Sequence, residues 1–163
     1  MKRIQLLLLS VALLAGCGSS DSVNNESTVD NSDEEVEEKK DEMSESEIMA
    51  YMDQMTGKYL LIDTYDDKSE GQQKQLDKAL TEVNLAMLEI EDEYEPNIAV
   101  VKDLDKLAES IKFAINELLQ GNYATKVDNS KEVGKHVGEL SRTYLDGELP
   151  PTIKAVTGQD TAN

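Results

Sequence analysis

Cysteine, histidine and clustered carboxylates build most catalytic and metal sites, and this chain of 163 residues holds one cysteine, Cys17, and one histidine, His136. Nucleophilic catalysis needs an activated serine or cysteine beside a base, so His136 would have to supply every base. In "EVGKHVGE" it stands between Lys135 and Val137, and nothing there has the form of a nucleophile elbow. That setting is one of a surface or boundary histidine. A transition-metal site built from His and Cys is short of ligands for the same reason. Haem can be held in a helical bundle between a Met and a His, but Met52, Met55 and Met87 recur at core spacing, where a thioether fills gaps. The expectation is no catalytic residue and no metal ligand set.

Carboxylates are plentiful, with 34 acids against 16 lysines and arginines and a net charge of −18. "DDKSEGQQKQLD", Asp66 to Asp77, offers the acids and glycine of a calcium loop, but Lys68 takes the third ligand position and Gln73 the apolar eighth. The segment reads better as a turn leading into a helix. Glu89, Glu91, Asp92, Glu93 and Glu95 crowd acids where a helix should end, the end at which its dipole disfavours them. Plain solvation and the next helix start are the ordinary explanation. A weak calcium site or contact with a basic partner is the functional one. Gly134 and Gly138 stand one helical turn apart, which allows a neighbouring backbone to approach or leaves that helix loosely held.

The elements that must position these groups are helices. Met43-Ser44-Glu45-Ser46-Glu47-Ile48 carries a start signature: Ser44 caps, Glu47 reaches back three residues, and Met43 packs on Ile48. From there Ile48, Met52, Met55, Tyr59 and Ile62 step by three and four along one face. Ser69 with Gln72 opens a second helix with Leu76, Leu80, Val83, Met87, Ile90 and Tyr94, stopping at Pro96. A third stripe, Val101, Leu104, Ala108, Ile111, Ile115 and Leu118, is closed by Gly121 and Asn122 as a left-handed cap. The fourth is weaker: Val133, Val137, Leu140 and Tyr144, ending at Gly147. No stretch alternates with the period of a strand, and short links favour antiparallel neighbours. The expected fold is all-α, an antiparallel up-down bundle of three long helices and a weaker fourth over residues 44–147, followed by a C-terminal tail, 148–163.

Ahead of the bundle the composition changes. "GSSDSVNNESTVDNSDEEVEEKKDEMSESE", Gly18 to Glu47, has almost nothing to bury and cannot offset the entropy of ordering. Residues 17–43 are expected to form a disordered acidic linker, with "DEEVEEKKDE" read as solvated charge rather than a docking segment.

The first residues, 1–16, have the order of an export signal: Lys2 and Arg3, an apolar run from Ile4 to Leu14, then Ala15 and Gly16. As a helix that run would rise about 20 Å, short of the roughly 30 Å hydrocarbon core of a bilayer. Leu14-Ala15-Gly16-Cys17 resembles the lipobox of bacterial lipoproteins and lies where that family places it. The resemblance implies cleavage between Gly16 and Cys17 and a diacylglyceryl group on the Cys17 sulfur, with no other cofactor. It also implies an extracytoplasmic, lipid-anchored location. Gly18 is not the aspartate that resembles an inner-membrane retention signal, and the acidic stalk is similar to those of Gram-positive lipoproteins. Leu9 to Gly16, "LSVALLAG", also resembles apolar peptides released from such signals as mating pheromones.

The charge excludes one class of partner, since no basic patch exists to displace counterions from phosphates. The expected role is therefore non-enzymatic: a binding or scaffolding module for another envelope component. Carriage of a small ligand or a calcium-like cation is the alternative.

Overall fold

The computed structural model describes residues 38–62 and 70–158. The signal-like segment, Cys17, the linker to residue 37, Ser69 and the last residues, 159–163, lie outside the described residues. Among the described residues five α-helices follow one another: α1, Glu45–Leu60; α2, Glu70–Glu93; α3, Ala99–Leu119; α4, Lys126–Tyr144; and α5, Pro151–Thr157. Helices α1 to α4 form the all-α bundle expected from the spacing of their apolar residues.

Local chemistry sets the ends. The Ser44 hydroxyl accepts from the Glu47 backbone N–H at 3.3 Å, while the Glu47 carboxylate accepts from the Ser44 N–H at 2.8 Å, so the predicted capping box is complete. Met43 is partly buried against the core, where a staple to the next turn belongs. At the end of α3, Gly121 takes φ 85°, and the Gly121 and Asn122 N–H groups donate to the Leu118 and Glu117 carbonyls at 3.0 and 2.8 Å. This double bond pattern satisfies two orphan carbonyls and demands a left-handed residue only at Gly121. Asn122, at φ −82°, is not left-handed.

Helix α3 is the centre of the core. It packs on α1, α2 and α4, and Leu104, Leu107, Ala108, Ile111 and Ile115 are all fully buried. Met52 and Met55 of α1 are equally buried within the same cluster, as gap-filling core residues. Helix α2 packs on α1 and α3 but not on α4. Helix α4 packs extensively on α3 and only lightly on α1.

Two boundaries differ from the sequence reading. Residues 38–43, read as the end of the linker, join the body: the Lys40 N–H donates to the Glu93 carbonyl at 2.8 Å, and the Glu95 N–H donates to the Lys40 carbonyl at 3.0 Å. Residues 148–158, read as tail, fold back on α1. The reversal is made by Asp146 and Gly147, at φ 51° and 86°, with the buried Ser141 hydroxyl donating to the Glu148 carbonyl at 2.6 Å. Pro150 and Pro151 then start α5, whose Thr152 N–H donates to the Asp53 carboxylate of α1 at 2.9 Å. A carboxylate borrowed from another helix thus serves as the cap that α5 lacks in its own sequence. Gly57 of α1 allows the approach, because a Cβ there would already touch Thr152 at 3.5 Å.

Candidate functional site

The acidic end of α2 is the first of two sites. Glu89, Glu91, Asp92, Glu93 and Glu95 are all exposed. Two of them meet lysines from the chain's own acidic run. Lys40 Nζ lies 3.0 Å from Glu93 and 3.2 Å from Glu47, and it stands 5.0 Å above the ring of Tyr94. Lys39 Nζ donates to the Glu91 carbonyl. One ammonium, that of Lys39, therefore sits on a carbonyl in the last turn of a helix that has no basic residue there, and the Lys40 ammonium pairs with the Glu93 carboxylate beside it, at the end where the helix dipole attracts cations. Two basic contacts at this end thus come from within the chain. Among the described residues no three of His, Cys, Asp and Glu converge as a metal-ligand group.

This corner also sets proton affinities. Tyr94 is almost wholly buried and packs edge-to-face on Tyr51, with ring centroids 6.4 Å apart. Burial, with the Glu47 carboxylate beside it, pushes the Tyr94 phenol up to about 12. Burial raises Tyr51 too, with Glu93 and Glu89 adding to the effect. Glu47 moves the other way, to about 2, because the Ser44 hydroxyl and N–H and the Lys40 ammonium favour its charged form. A carboxylate whose folded pKa is depressed stabilises the fold above its unfolded pKa, near 4.5, and loses that contribution as pH falls toward about 2. Glu47→Gln should therefore lower the urea midpoint at pH 6, and the gap to the parent chain should close by about pH 2. A gap that stays constant across that range would show that the Glu47 charge contributes nothing through this corner.

His136 occupies a different place, a half-buried position on α4. Its imidazole is 17% exposed and lies 3.4 and 3.5 Å from the Glu132 and Glu139 carboxylates. Among the described residues no hydroxyl or thiol nucleophile is bonded to it. The calcium-like segment falls partly outside the described residues, and its described part is the first turns of α2, with Gln72 buried and accepting from the Tyr123 hydroxyl at 3.3 Å.

The second site was not legible in the sequence. Because α4 touches α1 only lightly, a groove of about 270 Å³ opens between them, bounded at one end by α5. Thr56 and Tyr59 of α1, Val133 and Val137 of α4, and Leu149 and Ile153 from the returning chain line it. Thr56 is the buried polar residue among these, and its hydroxyl donates to the Met52 carbonyl at 2.7 Å, so it presents little unmet polarity to the groove. Gly134 and Gly138 stand on the α4 wall. No neighbouring backbone presses on Gly134: a Cβ there would meet no atom within 4 Å. Its missing side chain leaves the groove open instead.

Tyr59 spans the groove, its hydroxyl 3.2 Å from the Ser130 hydroxyl, and burial raises its pKa. Beyond this bridge a second hollow of about 180 Å³ shares Tyr59, Leu60 and Ser130 as walls and ends at Lys126. The two hollows thus run in line along α4, apolar at the α5 end and cationic at the other. No family model, curated protein or solved structure matches the chain.

Proposed function

We propose that the chain is a membrane-anchored surface lipoprotein whose helical body binds or scaffolds another component of the cell envelope and catalyses no reaction. The observation that carries this reading is Leu14-Ala15-Gly16-Cys17 placed directly behind Lys2, Arg3 and an apolar run too short to span a bilayer. Two acyl chains on Cys17 would hold the protein stably, each buried methylene contributing about 0.8 kcal/mol. With a net charge of −18 the chain as a whole is repelled from anionic lipid and from nucleic acid, which leaves the lipid as its attachment and an envelope protein as its partner. The location is extracytoplasmic, of the Gram-positive type.

Small-ligand carriage is the second reading, and the apolar groove between α1 and α4 favours it. Cation carriage at the α2 end has less support, since Lys39 and Lys40 already occupy that corner.

Cys17→Ser tests the first reading in cells. The variant should lose radiolabelled fatty acid, remain uncleaved before residue 17, and shift its folded body's crosslinks away from membrane neighbours. Continued acylation of the variant would overturn the lipoprotein assignment.

A further inference from the structure

We propose that the groove along α4 binds a single-chain fatty acid, its carboxylate held by Lys126, Ser130 and Tyr59 and its tail laid along Val133, Val137 and Ile153. The proposal deepens the small-ligand reading and does not depend on lipidation of Cys17.

Shape and chemistry agree on this occupant. The larger hollow, about 270 Å³, is walled mostly by aliphatic side chains, and its stretch along α4 from Ser130 to Gly138 is, at 1.5 Å per residue, about 12 Å. That suits one linear chain and not a two-chain lipid or a folded peptide. Removing such a chain from water is favourable, and the gain grows with each methylene buried. Thr56 and Thr157 also line the hollow, but their hydroxyls donate to the Met52 and Ile153 carbonyls, so the polar groups left for an amphiphile's head are those at the Lys126 end. The Tyr59 and Ser130 hydroxyls lie 3.2 Å apart across the junction of the two hollows, where each can turn its proton toward an anion. Lys126 lines the hollow just beyond them, and among the described residues no carboxylate lies within ion-pair distance of it. Its neighbours Lys131 and Lys135 are each paired with an acid, Asp128 and Glu132. In a chain with 34 acids, an ammonium left to the mouth of an apolar hollow complements an anionic head.

Gly134 supports the same conclusion. Glycine in a helix interior is less favourable than alanine, and open space at its missing Cβ shows that packing does not require it. What it preserves is the width of the groove.

The test uses the full chain with decanoate, butyrate and decyltrimethylammonium as probes, each below its micellar concentration. Decanoate should raise the melting temperature with concentration, as a ligand bound by the folded state does. Butyrate, lacking the tail, and decyltrimethylammonium, with the opposite head charge, should not. Lys126→Glu should weaken decanoate by about fivefold or more, the scale of one partly exposed ion pair lost and reversed. Gly134→Leu should abolish binding while the circular dichroism of the unliganded protein is unchanged. Should that variant fold poorly, methyl shifts in the parent chain decide: changes confined to Val133, Val137 and Ile153 support the site, and changes centred elsewhere overturn it. Equal binding of decyltrimethylammonium, or full decanoate affinity in both variants, would overturn it too. Loss of Cys17 labelling would leave this result untouched, and failure here would leave the anchor untouched.

Discussion

Ile111→Ala should destabilise the body by about 3 kcal/mol, within the range of roughly 2–5 found when a buried Ile or Leu is cut back to Ala. Ile111 is fully buried on α3, the helix that packs on α1, α2 and α4, so the space left behind is bounded on several sides and closes poorly. Phe113, two residues on and the only phenylalanine in the chain, is 58% exposed. Phe113→Ala should stay within about 0.5 kcal/mol, as surface substitutions do. Urea unfolding with an unchanged slope for both variants checks the pair. A reversed order of cost would mean that α3 is rotated about its axis from the arrangement described.

Hydrogen exchange should separate the helices by about a hundredfold or more, an opening difference near 2.7 kcal/mol. The fastest helical amides are expected in α5, at Lys154 to Thr157, and the slowest in α3, at Leu104 to Ile115. Helix α5 is seven residues long, buries Ile153 alone and packs on α1, with the Asp53 cap and the Glu148–Lys154 pair at 2.8 Å as its polar ties. So short a helix has no independent stability. On sequence alone the weak fourth stripe with Gly134 and Gly138 marks α4 as the part that opens. Tertiary ties move that role to α5. Tyr144 of α4 donates to Asp103 of α3 at 2.9 Å, and Val133, Val137, Leu140 and Leu145 are all buried. Because α5 closes one end of the α4 groove, its opening would also admit a ligand. Protection in α5 equal to that in α3 would show that the returning chain is part of the cooperative core.

Much of the fold was legible because it is written in local periodicity. The stripes of α1 to α3 needed no knowledge of their neighbours: a three-and-four step places apolar groups on one face wherever the helix lies, and that face must be buried. The caps were legible for the same reason. Ser44 with Glu47, and Gly121 after the third stripe, satisfy backbone groups within a few residues of themselves. Composition determined the charge, since that depends on counts and not on contacts.

Other features depend on residues distant in sequence, and tertiary structure decided them. Lys39 and Lys40 stand in a run of acids and read as solvated charge, yet they finish α2 because folding brings their ammonium groups to the Glu91 carbonyl and the Glu93 carboxylate, 52 and 53 residues away. The one available signal was two lysines adjoining a capping box while a later helix ended in acids. Helix α5 was signalled by Pro150, Pro151 and Gly158, the start and stop residues of a helix, but one buried residue makes no stripe. The groove had no signal at all. It exists because α4 leans on α3 and leaves α1, a choice made by the competition among apolar faces for the same core, and no spacing within any one helix records which face wins.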